Sequence, residues 1–271
     1  MPKKILSGSD IVDYIKPRQE SLVRSLVSRG IQPRLAIVRT NADPVIDTYL
    51  RIKSAYAKDI GAEVEIVTID TDDALEEVKK LNNRIDVHGI IIQLPLGDTS
   101  KTDKLLVSVS PKKDVDGLGD LPDYDPATPT AILWLLSGYN VDLRDKKILV
   151  VGQGRLVGAP LARMLRSTGL EINVADDATN DLSSQTLAAD IIVSAAGVPG
   201  LINSEMVAHG AVVVDAGTAS ENGKIVGDVA DELRTRPDII ITPKLGGVGP
   251  LTVAALFDNL LRAASKSSTA L

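Results

Sequence analysis

The sequence predicts an α/β protein built as two lobes, and three observations predict it. Short runs of Val, Ile and Leu alternate with longer stretches of helical periodicity from end to end. A stretch rich in Asp, Gly and Pro, residues 112–129, interrupts that alternation. Beyond it, Lys147–Val151 runs into Gly152-Gln153-Gly154-Arg155-Leu156-Val157-Gly158 and then a helical pattern. That order of strand, glycine turn and helix start is able to cradle a phosphate group.

Each element follows from its local pattern. Residues 8–30 read as an amphipathic helix, Arg34–Val38 as a strand, Val45–Ile60 as a helix and Glu63–Ile69 as a strand. Thr71–Leu81 is helical and Gly89–Gln93 is an apolar run suited to a buried strand. After the loop and domain boundary at 112–129, Ala131–Leu136 reads as helix and leads to the strand Lys147–Val151. Glu171–Ala175, Ile191–Ser194, Val212–Asp215 and Ile239–Thr242 extend a second sheet. A last helix is expected over Thr252–Ala264, after Gly246-Gly247-Val248-Gly249-Pro250, and Lys266–Leu271 reads as a frayed polar tail.

Composition removes whole classes of function. At 271 residues the chain has room for about two domains of ordinary size. Apolar residues make up 44% and aromatics only 3%, so the cores are aliphatic. A net charge of −6 without a basic block argues against a nucleic-acid surface. With no cysteine there is neither disulfide nor thiolate chemistry, and two separated histidines, His88 and His209, are too few for a zinc site, so no metal is expected. The apolar stretch after Met1-Pro2-Lys3-Lys4 is too short for a signal peptide, and no run approaches a membrane span. Cytoplasm is the expected compartment.

Several side chains have two readings. On the helix from Val45, a stripe of Ile46, Tyr49, Leu50, Lys53, Ala57 and Ile60 places a lysine among apolar neighbours. Either its stem snorkels past the core edge, or its ammonium sits in a partly dry place where burial lowers its pKa toward acid-base work. Tyr49 is a core residue or a ring face for an aromatic ligand. Gln93 ends an apolar strand at the edge where open α/β sheets bind ligands, so it either orients Lys53 or a substrate or caps its own loop. Asp114 and Asp116 lie where aspartates commonly bond their own backbone. The GxGxxxG turn is an ordinary strand-turn-helix or a dinucleotide site; for the latter speaks the strand Glu171–Ala175, ending in Asp176 and Asp177, where a carboxylate would meet a ribose hydroxyl.

Taken together, these segments resemble the bifunctional methylenetetrahydrofolate dehydrogenase/cyclohydrolase family. The matching pieces are Tyr49-x-x-x-Lys53 with Gly61, Gly89 through Leu96, Pro111-Lys112-Lys113-Asp114-Val115-Asp116-Gly117 and Thr128-Pro129. They continue in family order through Gly152 to Pro160, Ala189-Asp190-Ile191, Gly227-Asp228-Val229, and Thr242-Pro243 with Gly246 to Pro250 and Thr252. Almost the whole chain is covered.

The resemblance implies a first lobe, residues 1–125, that binds folate and carries catalysis, with the C-terminal helix 251–271 packing back on it, and a Rossmann-type NAD(P)-binding lobe, 126–250, with a cleft between them. Lys53 would shuttle the proton of methenyl-folate hydrolysis, Gln93 would orient it, Tyr49 would stack on the folate and Asp116 would accept paired N–H bonds from the pterin. Leu94, Gly246, Gly247, Gly249 and Pro250 would complete the tetrahydrofolate-derivative site. Gly152, Gln153, Gly154, Arg155, Gly158, Asp176, Asp177 and Thr218 would hold the cofactor, and a homodimer is implied. Rival expectations are a dehydrogenase without the hydrolase and a silent nucleotide-binding homologue.

This chain departs from the family pattern at several positions. Gln153-Gly154 stands where Arg-Ser is common, and Asp176-Asp177 where NADP users carry polar or basic residues. A carboxylate bonds a free 2′-hydroxyl and repels a 2′-phosphate, so NAD is expected over NADP, with Arg155 the residue that would favour NADP. Lys244-Leu245 replaces Val-Pro, Ile46 replaces a common serine, and the segment from Gly117 to Pro126 is shorter than usual.

Overall fold

The computed structural model describes residues 4–221 and 224–267. In chain order the elements are β1 (Lys4–Ile5), α1 (Gly8–Ser28), β2 (Arg34–Arg39), α2 (Pro44–Ile60), β3 (Glu63–Thr68), α3 (Ala74–Asn83), β4 (Gly89–Gln93) and α4 (Thr102–Ser108). They continue with α5 (Ala127–Gly138), β5 (Ile148–Val151), α6 (Gly158–Ser167), β6 (Ile172–Ala175), α7 (Leu182–Ala188), β7 (Ile191–Ser194), β8 (Val212–Asp215), β9 (Ala219–Glu221), β10 (Lys224–Val226), β11 (Ile240–Ile241) and α8 (Val248–Ser267). The described residues form two compact units: 13–127 with those from 253 onward, and those up to 12 with 128–252.

The first of these units is built on a three-stranded parallel sheet in the order β3-β2-β4. Central β2 and the wholly buried β4 are aliphatic runs because both faces are covered, which leaves no polar alternation in their sequence. Ala36, Val38, Ile90 and Ile92 pack with Val78 and Leu81 of α3 and Leu105 and Leu106 of α4. Helix α2 starts sharply: the Asp43 carboxylate accepts the N–H of Val45 at 2.7 Å, Pro44 occupies the first turn, and Gly61 ends the helix at φ +84°. Ile46, Leu50, Ala57 and Ile60 form its buried stripe.

The second unit holds a six-stranded sheet in the order β1-β11-β8-β7-β5-β6, with every neighbour parallel. Chain order reverses between β5 and β7, the kind of switch point at which open α/β sheets bind ligands beyond the carboxyl ends of the strands. β9 and β10 form a separate antiparallel pair.

Several features differ from the sequence expectation. α8 begins at Val248, not Thr252, and α5 at Ala127, not Ala131. In both, a proline (Pro250, Pro129) lies in the first turn, where its missing N–H costs nothing, so a residue that reads as a breaker is in fact a starter. Helix α3 begins at Ala74, three residues later than expected, after a turn in which the N–H groups of Asp73 and Ala74 both donate to the Asp70 carbonyl at 3.1 Å. Helices α4 and α7 and strand β1 are too short for a periodic signal; β1 nevertheless adds to the sheet edge by pairing with β11. Of the tail expected over Lys266–Leu271, Lys266 and Ser267 belong to α8, and 268–271 lie outside the described residues. Among the described residues no helix is long and apolar enough to cross a membrane.

Candidate active site and dinucleotide site

In the first unit, register brings the polar end of β4 to the edge of the sheet. Gln93 pairs with Arg39, the last residue of β2, and α2 follows β2 after a short loop. The one lysine on the apolar stripe of α2 therefore faces the end of β4. Lys53 Nζ donates to Gln93 Oε1 at 2.9 Å, while Gln93 Nε2 donates to the Leu94 carbonyl at 3.0 Å. Both readings of Gln93 hold together: one end of the amide orients the lysine and the other ties to its own loop. Fixing the amide by its N–H end leaves only the oxygen to meet Lys53.

Lys53 is half-buried, and burial pushes its pKa below the ordinary lysine value, while the negative charge of Asp116 pulls the other way. The same physics runs in reverse at Asp116. Burial raises its pKa, Lys53 lowers it, and Asp114 raises it further. The site thus holds an amine and a carboxyl each displaced toward neutrality by loss of water. Tyr49, one helical turn before Lys53, is half-buried, and burial raises its hydroxyl pKa.

The two aspartates of the loop separate into different tasks. Asp114 is buried, and its carboxylate accepts the N–H of Gly117 at 3.0 Å and of Gly119 at 2.7 Å, making the turn. Gly117 has φ +70°, and a Cβ there would lie 2.7 Å from both Tyr124 O and Pro126 N, so only glycine serves. Asp116, held between these residues, is the aspartate whose charge is felt by Lys53. A carboxylate set this way can accept two parallel N–H bonds from an amino-pyrimidine edge.

In the second unit, the glycine turn after β5 has two glycines that packing demands and one that it does not. Gly152 has φ +91°, and a Cβ there would stand 2.5 Å from the Ala195 carbonyl oxygen. A Cβ on Gly158, the first residue of α6, would meet the Gly152 carbonyl at 1.9 Å. Gly154 has nothing within 4 Å of its would-be Cβ. The turn is closed at both ends and open in the middle, beside the start of α6, where the N–H of Ala159 donates back to the Gly154 carbonyl at 3.2 Å and Pro160 has no N–H. Such a cradle fits a dinucleotide pyrophosphate.

The remaining candidates are placed as follows. Gln153 is half-buried and its Nε2 donates to the Gly152 carbonyl at 3.0 Å, whereas Arg155 is exposed. Asp176 and Asp177 are exposed beyond β6; Asp176 accepts the N–H of Ala178 at 3.0 Å and so shapes its own loop. Thr218 is exposed just after β8. Gly246 has φ +81°, and its carbonyl accepts the N–H groups of Gly8 at 2.8 Å and Ser9 at 3.0 Å, which fastens this loop to the start of α1. Gly247 precedes α8, and Gly249 and Pro250 lie in its first turn. Lys244 pairs with Asp231 at 2.5 Å and Leu245 is 80% exposed.

Sequence reasoning missed a group of buried polar residues in this unit. Asp215 and Asp228 are both engaged in hydrogen bonds to backbone N–H groups, and Arg234 donates to Asp215 at 2.6 Å. The signal available was Gly227-Asp228-Val229, a motif with no role that sequence alone assigns.

Comparison with known proteins gives one answer for both units. Residues 6–116 match the tetrahydrofolate dehydrogenase/cyclohydrolase catalytic domain, and residues 126–268 match the NAD(P)-binding domain of the same family. The chain is 37% identical to the bifunctional protein FolD of Methanosarcina mazei, over 97% of each. It superposes on the crystal structure of the Campylobacter jejuni bifunctional FolD with a TM-score of 0.92 at 34% identity, covering 97% of this chain and 99% of that one. The Trypanosoma brucei methylenetetrahydrofolate dehydrogenase-cyclohydrolase, solved with NADP and an inhibitor, aligns with a TM-score of 0.91 at 30% identity over 99% of each.

Proposed function

The chain belongs to the tetrahydrofolate dehydrogenase/cyclohydrolase family, and from that premise we propose that it oxidises 5,10-methylenetetrahydrofolate with a nicotinamide dinucleotide and hydrolyses the methenyl product to 10-formyltetrahydrofolate. The observation that carries this reading is the Lys53–Gln93 contact beside Asp116, because it supplies an amine of depressed pKa where a hydrolysis needs a proton carrier.

When bound, the dinucleotide supplies the acceptor for hydride from the methylene carbon between folate N5 and N10, and no side-chain base is needed for that transfer. Gly152, Gly154 and Gly158 would hold its pyrophosphate, with Gln153, Arg155 and Thr218 beside it. Asp176 and Asp177 would meet the adenosine ribose. In the hydrolysis, water attacks the methenyl carbon and Lys53, as the free amine, takes a proton from it. The resulting ammonium returns that proton to N5 as the carbon–N5 bond breaks and the hydroxyl gives up its remaining proton to solvent, leaving the formyl group on N10. Gln93 keeps the amine aimed, Asp116 accepts two N–H bonds from the pterin edge, and Tyr49 stacks on the ring. Leu94 and the loop Gly246, Gly247, Gly249 and Pro250 would complete the folate contacts.

The exposed carboxylates after β6 favour NAD over NADP, since a 2′-phosphate there would meet like charge. A homodimer joined through the cofactor-binding unit is part of the proposal, and light scattering at twice the 28.7 kDa chain mass would support it. Steady-state oxidation of methylenetetrahydrofolate with each cofactor tests the reading. It expects turnover with a higher kcat/KM for NAD; no turnover with either cofactor contradicts the activity, and a preference for NADP contradicts the cofactor assignment.

A further inference from the structure

Asp228 lies in the bend after β10 and is fully buried, an acid set against the end of aliphatic β7, and burial raises its pKa. Its two oxygens are spent on one short stretch of chain. Oδ2 accepts the Ser194 hydroxyl at 2.8 Å and the N–H of Ala196 at 2.7 Å, and Oδ1 accepts the N–H of Val198 at 2.9 Å. These three donors begin at the last residue of β7 and define the loop beyond its carboxyl end. Asp228 is itself fixed from behind, because its own N–H and that of Val229 donate to Asp215 at 2.9 and 3.2 Å, and Asp215 is held by Arg234. Glycines make room for the crossing: a Cβ on Gly217 would stand 2.2 Å from Asp228 Oδ1, and one on Gly227 would stand 2.0 Å from Asp215 Oδ2.

The loop held in this way abuts the glycine turn. The N–H of Ala195 donates to the Val151 carbonyl at 2.8 Å, and Ala195 O and Ala196 Cα are the atoms that exclude a side chain from Gly152. The loops after β5 and β7 flank the switch point of the sheet, where open α/β sheets bind their ligands.

We propose that Asp228 is a positioning residue for the dinucleotide, setting the backbone of residues 195–198 so that this loop and the Gly152 turn together form the cofactor pocket. This rests on the cofactor reading above and extends it to a residue that need not touch the ligand. Replacing one carboxylate oxygen by an amide NH2 turns it toward N–H donors it cannot accept from, so Asp228→Asn should displace the loop while preserving side-chain volume.

Two variants and two measurements test it. Asp228→Asn should raise the KM and the calorimetric Kd for the preferred dinucleotide by about tenfold or more, as expected for loss of a buried charge-assisted bond. Ser194→Ala, which removes one of the three donors and is the milder change, should raise them in the same direction by roughly two- to fivefold. In both variants kcat/KM for methenyltetrahydrofolate hydrolysis, which uses no dinucleotide, should stay at the wild-type value. An equal fall in both activities would show a general structural role and overturn the proposal, as would unchanged dinucleotide Kd in both variants. If Asp228→Asn does not fold, Ser194→Ala decides by the same criteria. Calorimetry needs no turnover, so a wild type that binds dinucleotide without folate activity would sink the assigned reaction and leave this inference to be judged on Kd alone.

Discussion

In the proposed hydrolysis, Lys53 owes its part to where its stem is rooted. A helix position that should be apolar delivers an ammonium to the end of a buried strand, and the loss of water there lowers its pKa. The lowered value means that the free amine is present at a lower pH than for an ordinary lysine, which titrates at about 10.4. If the amine is the working form, hydrolysis of methenyltetrahydrofolate should rise with pH through a limb centred below that value. A pH–rate profile of kcat/KM should show the limb in the wild type and lose it in Lys53→Met; a limb that survives the substitution belongs to another group. At the same scale, the proposed cofactor choice rests on Asp176 and Asp177. Asp176→Ser keeps a short acceptor for the Ala178 N–H, and Asp177→Arg adds a cation. The pair should narrow the ratio of kcat/KM for NAD over NADP by about tenfold or more, the size of one charge-assisted bond, and an unchanged ratio would remove these residues from the ribose site.

At the scale of elements, the precision of Lys53 depends on how α2 is held. One turn beyond the lysine, the Tyr56 hydroxyl donates to Gln19 Oε1 of α1 at 2.7 Å, and Gln19 Nε2 donates to the Ala254 carbonyl of α8 at 2.8 Å. The Tyr56 ring packs on Phe257 of α8 with centroids 5.3 Å apart. Three helices far apart in sequence thus share one buried amide. Tyr56→Phe keeps the ring and strands the Gln19 oxygen, so thermal unfolding should show a loss of about 1–3 kcal/mol, whereas dinucleotide Kd, measured on the other unit, should not change; an unchanged Tm would show that the hydrogen bond carries no net stability. What the sequence makes legible is the local and the periodic. The stripe on α2, the apolar runs of β4, β5 and β7 and the glycine turn all announce themselves by spacing. The starts of α5 and α8 do not, because proline in a first turn and proline as a breaker look alike. Nor does the Gln19 bridge or the Asp215–Asp228 pair, since which polar side chains meet in a core is decided by tertiary packing. Lys53 is legible by pattern as a conflict between charge and an apolar stripe, with Gln93 as one candidate partner; that the two meet at 2.9 Å, and that Asp114 rather than Asp116 makes the turn, is decided by tertiary packing.

On the scale of the whole molecule, the two reactions make different demands on the two compact units. In the proposed mechanism the hydrolysis calls on Lys53, Gln93 and Asp116, all in the first unit, and the oxidation would draw in addition on the glycine turn and its neighbours in the second. Substitutions should therefore sort by unit: changes to the glycine turn should act on dehydrogenation alone, and changes to Lys53 should fall most heavily on hydrolysis. The most direct check compares both activities in wild type and Lys53→Met, following methenyltetrahydrofolate hydrolysis without dinucleotide and methylenetetrahydrofolate oxidation with it. The account predicts that hydrolysis falls by about 10²–10⁴-fold, the range of a lost general acid-base group, while oxidation remains measurable. Equal hydrolysis rates in the two proteins would contradict it.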